Sequence, residues 1–272
     1  MRNEPGGIFM YTIFDAHAHI YPEKIAVKAV HAIGDFYDIP MKYDGTVEHL
    51  LALGDEFGVQ KFLVHSVATV EHQVTRINDF IIAECRAHPE RFIGFATLHP
   101  DFKNPFEELN RVKAEGLRGV KLHPDFQKFE ISAPCMDEAY EAMAQLNLPV
   151  LFHTGDRRYH FSSPSHIPII RRRHPHLKII CAHFGGYTEW DEAEKCLKGE
   201  DIWVDSSSSF FALGAERVRH LISLYGEERV LFGSDYPMWS VGDEIQNILS
   251  LNLPARVNEQ IFSGNLSKLL SL

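Results

Sequence analysis

The sequence has few of the features that mark secreted, membrane or metal-finger proteins. It holds only four cysteines in 272 residues and no Cys-x-x-Cys pair, so neither a disulfide framework nor a zinc finger is expected. It also lacks any run of about 18 apolar residues, and its first residues lack the apolar stretch of a signal peptide. These absences predict a cytoplasmic protein that does not interact with membranes.

An excess of basic residues is absent as well. There are 27 Lys and Arg against 37 Asp and Glu, which gives a formal net charge of −10. Binding to nucleic acid depends on clustered positive charge that neutralises phosphates, so we expect no nucleic-acid partner. The expected partner is instead a small-molecule substrate, and association into a homo-oligomer stays open.

What the sequence does have is a repeated unit of one strand and one helix. Short apolar, β-branched runs recur about 30 residues apart, and each precedes a stretch of helical periodicity. Eight strands are predicted, at residues 11–16, 61–67, 92–98, 119–122, 149–153, 178–182, 202–205 and 229–233. Eight such units in a row favour the α/β class and a closed parallel (β/α)₈ TIM barrel.

The repeats fit one barrel domain over residues 11–272, since 45% of the sequence is hydrophobic and can form one large core. Residues 1–10 are expected to be a flexible N-terminal extension. The longest interval lies between the first two strands, where an extra helix is predicted over residues 22–33. Such an insertion would sit over the barrel mouth, as a lid, a pocket wall or a plain surface elaboration.

Histidine is abundant, with 16 residues, and its placement is informative. One His-x-His pair, His174 and His176, falls at a predicted helix end and is read as a solvated terminus. The other pair, His17 and His19, closes the first predicted strand. Since residues two apart on a strand point the same way, Asp15 is expected to share their inward column as a deeper support for the ligands.

Three more strand ends carry an ionisable residue. His153 ends the fifth strand, His183 the sixth and Asp235 the eighth. Barrel enzymes place their chemistry at the carboxyl ends of the strands, so these side chains should converge with the first pair. Imidazoles and a carboxylate form a donor set for a divalent ion such as zinc, iron, manganese or cobalt.

The strand-end motifs resemble the amidohydrolase superfamily. The closest similarity is to its amidohydrolase-2 branch, which includes aminocarboxymuconate semialdehyde decarboxylase and related hydrolases. The motifs are Phe-Asp-Ala-His-Ala-His at residues 14–19, Gly-Val-Lys-Leu-His-Pro at 119–124, Phe-His-Thr-Gly at 152–155, Ala-His-Phe-Gly-Gly at 182–186 and Gly-Ser-Asp-Tyr-Pro at 233–237. In this order they cover nearly the whole chain and are specific for the superfamily, but weakly specific for the reaction.

The resemblance implies that His17, His19 and His153 ligate one metal ion, with zinc as the first expectation. It implies that Asp235 binds the ion or its water and acts as a catalytic residue, together with His183 near that water. Related decarboxylases that begin with Glu-x-His have a carboxylate where this sequence has a histidine. This departure counts against that subgroup, but not against decarboxylation by the His-x-His members.

Lys121, on the fourth strand, separates one-metal from two-metal members of the superfamily. In binuclear members a lysine at this place is carboxylated and bridges two ions. The motif around Lys121 resembles the branch with a single metal, so we expect an unmodified lysine that holds a substrate carboxylate or packs in the core. Arg157 and Trp239 are further candidates for substrate contact.

Other strand-end residues are expected to have lesser roles. His65, His99 and His123 follow the second, third and fourth strands and are predicted to line the pocket or to form loop hydrogen bonds. Asp205 ends the seventh strand, either as a support for the site or as a turn residue.

The leading functional expectation is a metal-dependent hydrolase that uses activated water on a small, carboxylate-bearing amide, ester or lactone. The main alternative is a non-oxidative decarboxylase on the same scaffold, which release of carbon dioxide would identify. A deoxyribonuclease of the TatD group is a third reading, against which the acidic net charge counts. A catalytically silent binding protein is the fourth, and the complete set of ligand residues argues against it.

Overall fold

The computed structural model describes residues 11–272, and the expected N-terminal extension, residues 1–10, lies outside this range. Within it, eight strands alternate with helices in a single-domain (β/α)₈ barrel, as the sequence predicts. The strands are β1 (Ile13–His19), β2 (Val59–His65), β3 (Phe92–Thr97), β4 (Gly119–Leu122), β5 (Val150–Phe152), β6 (Ile179–Cys181), β7 (Trp203–Asp205) and β8 (Val230–Leu231).

Most of the helices form the outer layer of the barrel, whereas the first covers its mouth and the last closes its inner core. The helices are α1 (Glu23–Tyr37), α2 (Val47–Phe57), α3 (Val74–Ala87), α4 (Pro105–Ala114), α5 (Pro124–Gln127), α6 (Asp137–Gln145), α7 (Ile167–Arg173), α8 (Trp190–Leu197), α9 (Ala215–Tyr225), α10 (Val241–Ser250), α11 (Ala255–Glu259) and α12 (Asn265–Leu270). One π-turn, Gln260–Gly264, joins α11 to α12. Across residues 11–272, no helix combines the length and the apolar character that a membrane span requires.

All neighbouring strands are parallel and follow chain order from β1 to β8. The barrel closes where β1 meets the segment that follows β8. There, the backbone N–H of Asp235 donates to the carbonyl of His17 at 2.9 Å, and the N–H of His19 donates to the carbonyl of Tyr236 at 2.7 Å. We call this junction the seam. Of the four predicted ligand residues, His17 and His19 therefore lie on one side of the seam and Asp235 on the other.

The eight predicted strands are all present, with shifts at their ends. The largest are at the first two strands: β1 continues through His19, and β2 begins at Val59. The cause at β1 is the seam, because hydrogen bonds to the far side extend the ladder past the apolar run. His17 and His19 thus lie within the strand, where their backbone is fixed on both sides.

Alternate strand residues divide the hydrophobic core in two. On β5, Val150 and Phe152 pack in the core between strands and outer helices, whereas Leu151 belongs to the cluster inside the barrel. The inner cluster is closed by leucines of α12. Period-2 alternation therefore puts the residue after Phe152, which is His153, on the inner face.

The predicted inward column of Asp15, His17 and His19 is wrong for Asp15. The pairing of β1 with β2 shifts between Asp15 and Ala18, so β1 carries one extra residue there. This bulge reverses the alternation of faces. Asp15 pairs with Phe62, which lies in the outer core, while His19 pairs with an inward residue at the mouth.

The insertion after β1 forms a helix over the barrel mouth, longer than the one predicted over residues 22–33. Gly34 does not end it, and α1 continues to Tyr37, where Asp38 adopts a left-handed conformation and its N–H donates to the Gly34 carbonyl. The extra turn carries two aromatic side chains, Phe36 and Tyr37, to the site described next.

Candidate metal centre

Three members of the predicted ligand set meet at the seam. The Nε2 atoms of His17 and His19 lie 3.4 and 3.5 Å from the same atom, Oδ1 of Asp235. All three side chains are buried. Donor atoms of two imidazoles thus face one carboxylate oxygen inside the barrel mouth.

Asp235 is held in an uncommon backbone conformation, with φ of 59°. Such conformations cost energy and cluster at functional sites. Ser208 Oγ donates to Oδ2 of Asp235, and Trp239 Nε1 donates to Ser208 Oγ at 2.7 Å. Burial raises the pKa of Asp235 to about 6 despite the hydrogen bond from Ser208. Oδ1 is left free to face the histidines.

His17 is oriented by Asp205, which accepts a hydrogen bond from its Nδ1 at 2.9 Å. This contact leaves Nε2 pointing at Asp235, an arrangement that often positions metal-binding histidines. The role we expected of Asp15 therefore falls to Asp205. Asp15 instead accepts bonds from Ser234 and from the backbone N–H of His17, and so fixes the main chain on both sides of the seam.

His153 and His183 contact each other directly. His183 Nδ1 faces the Ser207 carbonyl at 3.1 Å, so it carries the hydrogen, and Nε2 then accepts from His153 Nδ1 at 3.0 Å. His153 keeps Nε2 without a hydrogen-bond partner within residues 11–272. Burial lowers the pKa of His183 to about 4, so this imidazole is neutral near pH 7.

The loops that carry these two histidines pack tightly on each other. Gly155, with φ of 78°, lies so close to Gly186 that an added Cβ would come within 2.6 Å of its backbone carbonyl carbon. Only glycine meets both the conformation and the contact. The glycines in the motifs Phe-His-Thr-Gly and Ala-His-Phe-Gly-Gly are thereby explained, because they set the separation of His153 and His183.

Among residues 11–272, potential ligand atoms gather in two groups, each with its atoms within 4.8 Å of one another. One group is His17, His183 and Asp205, which Ser207 joins into a hydrogen-bonded network. These partners already satisfy each other, so we read that network as support for the site. The other group is His17, His19 and His65, whose facing nitrogens have no such link. His65 was predicted to line the pocket or to form loop hydrogen bonds, and instead it is the pairing partner of His19 on the neighbouring strand.

These side chains fit a divalent metal ion. Nδ1 of His19, both ring nitrogens of His65 and Nε2 of His153 are buried without a hydrogen-bond partner in the part of the chain described. Unpaired buried polar atoms are costly, and a cation bound among imidazoles and a carboxylate removes part of that cost. The centre therefore has the donor set of a single divalent metal site.

Lys121 lies beneath these residues and is fully buried. Its Nζ is 3.2 Å from Nε2 of His17, and burial lowers the pKa of the ammonium group to about 8. A metal ion on His17 would replace this hydrogen bond. Lys121 does not line the cavity of the site, so its predicted contact with a substrate carboxylate stays a prediction.

The other two predicted substrate residues also lie outside the cavity lining. Arg157 is exposed, and its guanidinium donates to the Thr188 carbonyl at 2.9 Å. Trp239 reaches the site only through the Ser208 hydroxyl, and its ring stacks on Phe211. In this conformation Trp239 positions Asp235, and Arg157 ties two loops together.

The cavity itself is small, about 20 Å³. It is lined by His17, His19, Ile33, Tyr37, Met41, His123, Phe126, His153, His183, Asp235, Pro237 and Met238. Helix α1 closes it from above, because the Tyr37 hydroxyl bonds Nε2 of His123 at 2.8 Å and Arg158 donates to the Phe36 carbonyl at 2.6 Å. The lining is therefore polar at the strand ends and largely apolar under the helix.

The sequence matches one known family profile, described as Amidohydrolase, over residues 14–272. It is also 23% identical over 240 residues to 2-amino-3-carboxymuconate-6-semialdehyde decarboxylase from Dictyostelium discoideum. That match covers 72% of this chain and 66% of the relative, so the chain spans just under two thirds of the relative's length.

Solved structures of similar fold include two decarboxylases with bound manganese. A dihydroxybenzoic acid decarboxylase from a Polaromonas species, solved with 2-nitroresorcinol, has a TM-score of 0.76 at 18% identity and covers 97% of this chain and 98% of its own. A 5-carboxyvanillate decarboxylase from Novosphingobium aromaticivorans, solved with 4-hydroxy-3-methoxy-5-nitrobenzoic acid, has a TM-score of 0.76 at 18% identity and covers 98% of both chains.

These comparisons correct the leading functional expectation. Hydrolysis is wrong as the main reading, because the relative from Dictyostelium and both of these solved structures are decarboxylases, which was the stated alternative. The expectation of a single divalent ion agrees with them, but the preference for zinc finds no support, since both structures contain manganese. The strand-end residues alone could not separate the two reactions.

Proposed function

This chain belongs to the amidohydrolase family, and from that premise we propose that it is a metal-dependent, non-oxidative decarboxylase of small aromatic or enoic carboxylic acids. One observation carries the proposal. Asp235 is a buried carboxyl group with a raised pKa, and its Oδ1 faces the two ligand imidazoles. The decarboxylase relative and the decarboxylases of similar fold support the same reading.

Non-oxidative decarboxylation needs a cation and a proton donor in one place. The bond from carbon to the carboxylate breaks, its electron pair stays on the carbon, carbon dioxide leaves and a proton takes its position. A divalent ion held by His17, His19 and His153, with Asp235 binding the ion or its water, would supply positive charge that binds and polarises the anionic substrate. We propose manganese as this ion because two decarboxylases of similar fold contain it.

Asp235 is the proposed proton donor. A cation nearby lowers the pKa of a carboxyl group, whereas burial of Asp235 raises it to about 6. The two effects offset each other, so that Asp235 can give up and regain a proton near neutral pH. Ser208 holds Oδ2 and leaves Oδ1 for the transfer, while neutral His183 completes the polar wall of the cavity.

The apolar part of the cavity suits loss of carbon dioxide. Ile33, Phe126 and Met238 line the side away from the strand ends. A carboxylate that enters such surroundings loses part of its hydration, while the neutral product that leaves needs none. The buried Lys121 and the bound ion would draw the substrate in by its negative charge.

The test is direct detection of carbon dioxide. Protein loaded with manganese is incubated with 2,6-dihydroxybenzoate, 5-carboxyvanillate and aminocarboxymuconate semialdehyde, and released bicarbonate is measured. We expect carbon dioxide from at least one acid, and product with one deuterium on the former carboxyl carbon when the solvent is D₂O. Hydrolysis of esters or lactones without carbon dioxide from any acid would contradict the proposal.

The Asp235→Asn variant tests the assigned proton donor. It keeps the shape of the side chain and removes its proton, so turnover should fall by about 10²–10⁴-fold. Metal content, measured by mass spectrometry, should fall much less. Asp243→Asn, an exposed aspartate a few residues along the chain, is the matched control and should keep wild-type turnover.

A further inference from the structure

His65 occupies a distinctive place at the end of β2. It is the pairing partner of His19 on the neighbouring parallel strand. Side chains of paired residues in a parallel ladder point to the same face, so both imidazoles lie on the inner face at the barrel mouth. Their ring centroids are 4.4 Å apart, and the His65 ring lies 5.0 Å from that of His17.

The His65 side chain is 0% exposed, and neither of its ring nitrogens has a hydrogen-bond partner within residues 11–272. Such a residue is unusual, because buried polar groups in proteins are almost always paired. A structural role in packing would be met as well by an apolar residue, without the cost of two unpaired nitrogens.

The surroundings of His65 provide a reason for an imidazole. One ligand-capable atom from each of His17, His19 and His65 lies within 4.8 Å of the other two. Three such atoms at this separation suit a shared cation better than hydrogen bonds among themselves.

The next two strand-end histidines differ from His65 in this respect. His99 Nδ1 accepts a hydrogen bond from the Asp101 backbone, and His123 bonds Tyr37 through Nε2 and Phe126 through Nδ1. His99 thus uses one ring nitrogen within the protein, and His123 uses both. Of the strand-end histidines of β2, β3 and β4 in the described chain, His65 has both ring nitrogens without a hydrogen-bond partner.

We propose that His65 is a further ligand of the divalent ion, bound from the β2 side of the site. This inference rests on the metal site of the proposed function and extends it. The ion would then be held by His17 and His19 on β1, by His65 on β2 and by His153 after β5, with Asp235 after β8 binding the ion or its water. His65 would be a metal-binding residue with no part in proton transfer.

Metal affinity in the His65→Gln variant tests this inference independently of catalysis. Glutamine keeps the size and polarity of the side chain but is a poor ligand. Free Mn²⁺ measured by electron paramagnetic resonance during titration should show a dissociation constant raised by about tenfold or more. His99→Gln replaces a buried histidine at the next strand end and should bind Mn²⁺ like the wild type.

Unchanged Mn²⁺ affinity in a folded His65→Gln protein would overturn the inference. If circular dichroism shows that this variant does not fold, crystals of the wild-type protein grown with Mn²⁺ decide the question. Anomalous density at bonding distance from a His65 nitrogen supports the inference, and density bound only by the other residues rejects it. The carbon dioxide assay on the wild type is a separate readout, so failure of the decarboxylase proposal leaves the His65 result unaffected.

Discussion

At each histidine of the site, the partner of one ring nitrogen decides what the other nitrogen can do. His17 donates from Nδ1 to Asp205, so Nε2 carries a lone pair toward the cavity. His183 donates from Nδ1 to the Ser207 carbonyl and accepts at Nε2. The chemistry of the centre is therefore set by residues that do not line the cavity themselves.

The Asp205→Asn variant should show this dependence. Asparagine can turn its amide toward Nδ1, which favours the other tautomer of His17 and moves the hydrogen to Nε2. We expect Mn²⁺ affinity to fall by about 10–100-fold, with carbon dioxide release falling as the metal is lost. Titration with Mn²⁺ measures the affinity of Asp205→Asn. The control variant is Asp191→Asn, which changes an exposed aspartate on α8.

Asp191→Asn should match the wild type in this titration. Equal Mn²⁺ affinity in wild type and Asp205→Asn would show that His17 needs no partner on Nδ1. High manganese concentration should restore part of the activity of Asp205→Asn, because its defect lies in binding and not in proton transfer.

Residue types at the site were predictable from the sequence, but their hydrogen-bond partners were not. His17, His19 and Asp235 follow from strand-end position alone. The choice between Asp15 and Asp205 did not, since it depends on one extra residue in β1 that reverses the alternation of faces. A bulge has no reliable sequence signal when both faces of a strand are buried.

Among the secondary-structure elements, α1 covers the cavity of the site. A cavity of about 20 Å³ holds about one water molecule. An aromatic acid therefore needs more room than this conformation offers, and α1 is the helix that lies over the cavity. Two hydrogen bonds tie it to the cavity wall, from the Tyr37 hydroxyl to His123 and from Arg158 to the Phe36 carbonyl, and the rings of Phe36 and Tyr37 add aromatic contacts such as the one with Phe126.

The Tyr37→Phe variant should weaken the attachment of α1 over the cavity. It removes one hydrogen bond, worth about 1 kcal/mol, so local opening of α1 should become about fivefold more frequent. Hydrogen exchange followed by mass spectrometry on peptides from residues 23–37 measures that opening. Tyr159→Phe keeps the ring that stacks on Phe36 and serves as the matched control.

Faster exchange confined to α1 in Tyr37→Phe, with unchanged Mn²⁺ affinity, is the expected pattern. If hydrogen exchange in α1 is equal in both variants and the wild type, the Tyr37–His123 hydrogen bond does not hold α1 over the cavity. From the sequence, α1 was predicted to end near Gly34. Its true end could not be predicted, because the cap at Asp38 has no distinctive sequence pattern.

At the scale of the whole molecule, burial of acids links stability to pH. Glu244 on α10 is buried, its Oε2 has no hydrogen-bond partner in the described part of the chain, and burial raises its pKa to about 8. Below pH 4.5 this group is protonated in both folded and unfolded chains. Between pH 4.5 and 8 the folded protein retains the proton that the unfolded chain releases, so stability falls as pH rises.

Glu244→Gln should remove this contribution. The free energy of unfolding of the variant should match that of the wild type near pH 4.5 and exceed it by roughly 1–3 kcal/mol at pH 8.5. Urea unfolding at the two pH values gives the comparison. Glu56→Gln, at an exposed position, is the control and should have the stability of the wild type at both pH values. If Glu244→Gln also has the stability of the wild type at both pH values, burial does not hinder the ionisation of Glu244.

The barrel fold of residues 11–272 was predictable because the pattern of one strand followed by one helix recurs eight times in the sequence. The proposed reaction was not, since hydrolysis and decarboxylation use the same donor types at the same strand ends. The position of α1 over the mouth was not predictable either, because it comes from tertiary contacts.

The seam has a consequence for how the protein is made. Synthesis is vectorial, so His17 and His19 leave the ribosome long before Asp235, which comes from the last strand end of the barrel. A partly synthesised chain presents imidazoles with no carboxylate opposite them and no closed wall behind them. The complete ligand set exists only once the first strand and the segment after the last have met. A metal ion bound by these residues would therefore load late in synthesis and would join the two ends of the sheet.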